Sequence, residues 1–279
     1  MSDKVTSAVY QQETLHHIYR GSSETIRQIP KMNRDLAILL GLLFTDGCVS
    51  PKRVHSWRIY FAAVSKNLVK IYGDTLQRVF DLPSERIRHD KTADDLYRII
   101  VNSKKIGNFL VNNFGTFRTL RLSNGKLPAT RLPIRELSET GCIKPFLQAA
   151  FSGDGGVSFY PAYRTGSHGG TKWLIRTVFL SCEHPLLRDQ YMQMLSLLGI
   201  QARNVPQDGK IKIETKENIL KFYQEVGFLA GVSVTGNSKF WRGYDKQQVL
   251  KLLVSSYGKP NIIFNLSQFK RGNDRVRTL

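Results

Sequence analysis

Two periods of hydrophobic patterning run along this chain, and the order in which they follow one another occurs twice. The longest apolar run, residues 36–44, is apolar on every face of a helix and so predicts a helix buried all round. It ends abruptly in Thr45-Asp46-Gly47. Residues 147–152 repeat the plan and end in Gly153-Asp154-Gly155. After each motif comes a β-branched and aromatic stretch of strand character, residues 57–65 and then 173–181, both bracketed by Trp and Ser. The gap before the second stretch is wider, so the second hairpin is expected to carry the longer loop, the Gly-rich and basic residues 163–172. Helical segments follow at 67–80 and 184–198. Short strands follow those, at 86–88 and 96–101 in the first half and at 202–205 and 210–215 in the second. Helices over 104–114 and 216–226 close the halves, with Gly115 and Gly227 as caps.

The unit is therefore helix, two strands, helix, two strands, helix, and the expected fold class is α+β, with two tandem αββαββα repeats forming a pseudo-dimer in one polypeptide. The expected division is an N-terminal extension over 1–34, a first repeat over 35–135, a second over 136–258, and a basic tail over 259–279. The extension reads as two short helices around Gly21-Ser22-Ser23. A linker over 116–139 carries Pro128 and Pro133, and Pro145 falls in the first turn of the second motif helix.

Small residues recur four apart in both motif helices, Gly41 and Thr45 in one, Ala149 and Gly153 in the other. Each pair makes a narrow stripe on which the helices can pack face to face. That packing brings Asp46 and Asp154 together at one end. Two carboxylates about 5 Å apart repel by roughly 3 kcal/mol at an effective dielectric near 20. Each also sits at the negative end of a helix dipole. No neighbouring residue offsets this, and a divalent cation would. Carboxylates, carbonyls and water are the ligands Mg²⁺ accepts.

Composition narrows the partner. Lys and Arg number 41 against 22 Asp and Glu, a net charge of +19 spread along the whole length. A polyanion is implied, and with no basic amphipathic helix beside a lipid anchor, nucleic acid is favoured over a membrane. The longest apolar run is too short to cross a bilayer, and the first residues lack an apolar signal core, so a cytoplasmic or organellar location with access to DNA is expected. Cys48, Cys142 and Cys182 form no C-x-x-C pair and read as buried free thiols. The histidines show no ligand spacing and read as surface or helix-capping residues.

The two Asp-Gly-ended helices resemble the LAGLIDADG signature of the homing endonuclease family in its single-chain, two-repeat form, over about residues 35–258. Gly41 keeps the family's glycine and Ala149 replaces it in the second copy. The family's variable inner acid is absent, with Phe44 and Ser152 in its place. The resemblance implies a saddle of two antiparallel sheets over the DNA major groove, acting as a monomer, with each half cutting one strand to leave 3′ overhangs. It implies Asp46 and Asp154 as ligands of Mg²⁺ or Mn²⁺, joined by the main-chain carbonyls of Thr45 and Gly153. It also implies a basic residue near each metal, past the closing helix of the repeat. Lys126, Arg118 or Arg121 are the candidates in the first half and Lys239 in the second.

The strands supply a set of groove-reading candidates. Lys210-Ile211-Lys212-Ile213 alternates basic and apolar, placing Lys210 and Lys212 on one sheet face, and Arg86-Ile87-Arg88 does the same for Arg86 and Arg88. Arg58, Tyr60, Arg98, Arg164, Lys172 and Arg176 complete the set, arginine being suited to guanine edges. The expected activity is site-specific double-strand DNA cleavage by an intron-encoded or free-standing enzyme. The alternatives are an RNA-splicing maturase, with intron RNA as partner, and a non-catalytic DNA-binding regulator.

Overall fold

The structure is a computed structural model that describes residues 30–257 apart from 54–55, 93–95, 165–170 and 237. The two expected N-terminal helices, His55, His168 and the basic tail lie outside the described residues, as do the side chains of Arg164 and Lys172.

The first motif helix, α1 (Arg34–Asp46), starts at Asn33, whose side chain accepts from the Leu36 N–H at 2.9 Å, and residues 36–44 are all buried. Strand β1 (Gly47–Arg53) follows α1 without a break, then come β2 (Ser56–Ala63), α2 (Lys66–Phe80), β3 (Arg88–Lys91), β4 (Tyr97–Asn102) and α3 (Lys104–Phe114). A short helix α4 (Ile134–Glu139) precedes the second motif helix, α5 (Ile143–Asp154). The order then repeats as β5 (Gly155–Arg164), β6 (Thr171–Ser181), α6 (Pro185–Leu197), β7 (Arg203–Val205), β8 (Lys210–Ile213) and α7 (Lys216–Glu225). The last described helix is α8 (Lys246–Ser255).

The two four-stranded antiparallel sheets have the same order, β1-β2-β4-β3 and β5-β6-β8-β7. In each sheet one side chain in two is buried beneath helices: Ile59, Phe61, Ile99 and Val101 in the first sheet, Val178, Leu180, Ile211 and Ile213 in the second. The intervening residues face away from the helices, so each sheet has one open face.

Three expectations change. The extra residues of the second hairpin go partly into longer strands, β5 and β6 having 10 and 11 residues against 7 and 8 for β1 and β2. Arg86 is not on a strand: Ser84–Arg86 is a 3-10 turn and β3 begins at Arg88. The expected linker is partly ordered as α4, which ends in a cap at Thr140.

Candidate functional site

The seam between the motif helices is as narrow as their small residues allow. A β-carbon on Gly41 would lie 2.8 Å from that of Ala149, and one on Gly153 would lie 2.5 Å from the Thr45 hydroxyl oxygen. The Thr45 hydroxyl turns inward along its own helix, donating to the Leu42 carbonyl at 2.9 Å. Both expected stripes therefore meet, and they deliver Asp46 and Asp154 to the same end of the seam. The glycines that follow them have a different role from a sharp turn. Gly47 and Gly155 have extended backbones with φ of −94° and −96°. Their missing side chain matters because a β-carbon would lie 2.5 Å from the Leu43 Cα in one case and 2.5 Å from the Phe151 carbonyl oxygen in the other.

The positions of the missing inner acids are filled structurally. Phe44 packs against Phe117 and Phe146 with ring centroids 4.7 and 6.2 Å away. The Ser152 hydroxyl donates to the Gln148 carbonyl at 2.7 Å and accepts from the Leu229 N–H at 2.8 Å, fastening the segment that follows α7.

That segment brings in a residue that patterning along the chain did not single out. Lys246 is buried, and its ammonium donates to the carbonyls of Ser152 at 2.8 Å, Gly153 at 3.2 Å and Gly155 at 2.7 Å. It thereby satisfies carbonyls that the end of α5 leaves without partners, at the negative end of the helix. Its place is set by Asp245, the N-cap of α8, which accepts from the N–H groups of Gln248 at 2.9 Å and Gly231 at 2.7 Å. The one sequence signal for it is this Asp capping an apolar-periodic helix.

The three ionisable groups act on one another. Burial pushes the Asp154 carboxyl up to about 7, the charge of Asp46 adding to the rise and Lys246 opposing it. Burial also raises Asp46, again opposed by Lys246. Burial brings Lys246 down to about 8 against the pull of both carboxylates. With all three ionised, one negative charge is left over, and a divalent cation would turn it into one positive charge. The donors present, two carboxylates and helix-end carbonyls, are hard oxygens of the kind that suit Mg²⁺ or Mn²⁺. Among the described residues no group of three or more His, Cys, Asp or Glu is gathered anywhere. A cation held by this pair would complete its shell with carbonyls, water and substrate oxygens. The Gly153 carbonyl, one of the expected ligands, already accepts from Lys246.

A cavity of about 630 Å³ opens beside Asp154, lined among others by Ser158, Tyr160, Lys239 and Lys246. Its wall is built by Trp241, which stacks on Phe159 with centroids 5.7 Å apart and donates its indole N–H to the Phe159 carbonyl. Lys239 thus shares a cavity with Asp154 while remaining exposed. Lys126, Arg118 and Arg121 are exposed as well. The two arginines donate to the carbonyls of Arg121 and Gly125.

The strand candidates divide. Arg58, Tyr60, Arg88 and Arg98 lie on the open face of the first sheet by register, with Arg98 opposite Asp90, and Lys210 and Lys212 lie on the open face of the second. Arg176 does not join them. It pairs with the buried Phe159 on the helix side, donates its Nε–H to the Ser256 hydroxyl at 2.8 Å, and stacks on Tyr257 at 4.9 Å. Arg203, overlooked in the sequence, lies opposite Lys212 on the open face. Cys48 is exposed on the first open face, opposite Tyr60, so only Cys142 is fully buried; all three described cysteines are free. His184, expected at the surface or as a cap, stands at the N-cap of α6 but is buried, its Nε2 lying 2.9 Å from the Pro128 carbonyl oxygen. Among the described residues no helix is long and apolar enough to cross a membrane.

Residues 33–112 match the family model of a LAGLIDADG-like domain. Among solved structures, the LAGLIDADG meganuclease I-AabMI bound to uncleaved DNA matches with a TM-score of 0.53 at 13% identity, over 88% of this chain and 100% of that one. The meganuclease I-SmaMI bound to uncleaveable DNA matches with a TM-score of 0.47 at 13% identity, over 89% and 99%. The homing endonuclease I-DmoI matches with a TM-score of 0.45 at 17% identity, over 69% and 90%. At these identities the likeness is one of fold, and the first match carries it. A search of curated protein sequences found no match.

Proposed function

Taking the chain as a LAGLIDADG protein of the two-repeat form, we propose that it is a site-specific double-strand DNA endonuclease that uses Mg²⁺ or Mn²⁺ and leaves 3′ overhangs. One observation carries this reading: two helices in contact end in the paired carboxylates of Asp46 and Asp154, with the ammonium of Lys246 held against the end of the second. A carboxyl raised to about 7 by burial and a neighbouring charge is an electrostatic liability with no structural return of its own. A hard divalent cation removes that liability and supplies charge neutralisation at a scissile phosphate and its leaving oxygen.

In this reading Asp46 and Asp154 hold the cation, with the carbonyls of Thr45 and Gly153 available beside them. Lys246 fixes the end of α5, so that Asp154 keeps its place when a phosphate approaches, and adds a positive charge next to that phosphate. Lys239 on the cavity wall contacts the DNA backbone. The open faces of the two sheets lie along the major groove, with Arg58, Tyr60, Arg88, Arg98, Lys210 and Lys212 toward the bases and Arg164 and Lys172 at the far end of the second hairpin. The chain acts as a monomer, since it carries both halves of the site.

The test is incubation of the purified protein with Mg²⁺ and a plasmid carrying the intron-less insertion site of its own gene, beside the variants Asp46→Asn and Asp154→Asn. Linear product with 3′ overhangs from the parent chain, and bound but uncut DNA from both variants, is the expected result. Wild-type cleavage by both variants removes the two-aspartate mechanism. Binding without cleavage by the parent chain makes it a regulator, and enhanced splicing without cleavage makes it a maturase.

A further inference from the structure

The two open faces can be compared row by row, because Gly47 pairs with Phe61 in the first sheet as Gly155 pairs with Leu180 in the second. Tyr60, Ile100 and Arg88 form a row in the first sheet, and Phe179, Lys212 and Arg203 form its counterpart. Beyond that row the faces part company. The first continues with the exposed Arg58 opposite Ser50 and Asn102. The second has Thr177 opposite Ser158 at the matching row and continues into Ile175 opposite Tyr160 and Trp173 opposite Ala162. Tyr160 is 39% exposed and Trp173 41% exposed, and Phe240 stacks on Tyr160 with centroids 6.2 Å apart. The described cations of this second face lie on β8 and β7, away from the β5–β6 hairpin, and are engaged within the protein, as Arg88 of the first face is with Asp90 at 3.7 Å. Lys212 pairs with Asp208 at 2.8 Å, Arg203 with Glu214 at 2.9 Å, and Lys210 lies 4.9 Å over the Phe179 ring.

An apolar patch with Lys239 beside Tyr160 and with Lys212 and Lys210 farther along the same face fits a partner that is anionic at its margins and apolar where the patch touches it. In the major groove of duplex DNA the apolar group is the C5-methyl of thymine, whereas guanine offers the N7 and O6 acceptors that arginine grips. Resting on the endonuclease reading above, we propose that the two half-sites of the target are read by different chemistry. The arginines of the first sheet read guanines, and Trp173, Tyr160 and Ile175 of the second read thymine methyls. The target is then thymine-rich under the second repeat and guanine-bearing under the first.

The experiment is selection of bound duplexes, without divalent metal, from a library randomised across both half-sites, using the parent chain, Trp173→Ser and Arg98→Ala. Both substituted side chains lie on an open sheet face. One half enriched in thymine and the other in guanine is expected, with Trp173→Ser relaxing only the thymine half and Arg98→Ala only the guanine half. In the selected duplex, deoxyuridine in place of thymine removes the methyl alone. Each replacement in the thymine half should weaken binding roughly fourfold, from about 0.8 kcal/mol per methyl. The same replacements should do nothing to Trp173→Ser.

A second half-site without thymine enrichment, or a silent deoxyuridine there, overturns the proposal while leaving the endonuclease reading intact. Dimerisation that Trp173→Ser abolishes, with deoxyuridine silent, gives the patch to a second copy of the chain and also overturns it. A library from which nothing is enriched defeats the endonuclease reading itself, and this proposal with it.

Discussion

Gly41 and Ala149 touch across the seam so closely that a β-carbon on Gly41 would lie 2.8 Å from the β-carbon of Ala149 and 2.5 Å from the Phe146 carbonyl oxygen. The second of these neighbours is backbone and cannot rotate away. Gly41→Ala must therefore push the two motif helices apart, an overpacking change that costs about 1–3 kcal/mol. For a chain of this size the melting temperature should fall by roughly 3–8 °C, read by calorimetry or circular dichroism. An unchanged melting temperature would mean that the helices are not in contact there.

Lys246→Met keeps the side-chain volume and removes the ammonium, leaving the carbonyls of Ser152, Gly153 and Gly155 without their donor. Single-turnover cleavage should slow by about 10²-fold or more, as expected when a preorganised charge beside a developing anion is lost. DNA affinity measured without metal should stay near that of the parent, because the lysine is buried. Lys246→Arg should not rescue the rate, since a planar guanidinium cannot reproduce three bonds made by one nitrogen. A parent-like rate in Lys246→Met would take this residue out of the chemistry.

The pH dependence follows from the two perturbed groups, and their signs differ. Asp154 is raised in the fold to about 7 from an ordinary 3.8, so its contribution to stability is full below about 4 and is lost as pH rises to 7. Lys246 is lowered to about 8 from 10.5, so its contribution is full above about 10.5 and is lost as pH falls to 8. These two groups together leave the metal-free protein least stable between about pH 7 and 8. Mg²⁺ should raise the melting temperature in that window and have little effect at pH 5, where a proton occupies Asp154. Mg²⁺ affinity by calorimetry should weaken about tenfold for each unit below pH 7. Affinity that does not vary between pH 5 and 7 would exclude Asp154 as a ligand.

Arg176 offers a control for the groove-reading set. Its bond to Ser256 and its stacking on Tyr257 tie the end of α8 to the back of the second sheet. Arg176→Ala should lower stability by about 1–2 kcal/mol, from one charged hydrogen bond and one cation–π contact. The bases chosen in a binding selection should not change. An altered base preference would place this arginine on the DNA side.

Arg176 marks the boundary between what local patterning along the chain specifies and what it does not. The helices, their caps and the duplication were visible because each rests on local patterning, such as Asn33 and the unbroken apolar run of α1. The stripe of Gly41, Thr45, Ala149 and Gly153 was legible because a seam demands small residues at fixed spacing. The strand faces were less secure. Matching Trp57 to Trp173 implies an offset of 116, whereas the ladder equates Phe61 with Leu180, 119 apart. The difference is odd, and in a strand an odd slip exchanges the two faces. Arg176 therefore takes the inward place of Trp57, while Trp173 stands in the open. Lys246 was hidden for another reason. It reaches the end of α5 only after the segment between α7 and α8 folds back, held by Leu229 on Ser152 and by Gly231 on Asp245, and no local pattern marks such a return.

The two sheets share no strand, and the closest passage between the halves is the line of Gly41, Ala149, Thr45 and Gly153. That line works as a ruler. Under the proposed function it fixes how far apart the two sheet faces stand and how they are rotated about a bound duplex, and so the number of base pairs between the half-sites. Side chains on the open faces can change one at a time without touching it. If the chain cleaves DNA as proposed, a lineage built this way can drift from one target sequence to another while the length of the target and the stagger between its cuts stay constant.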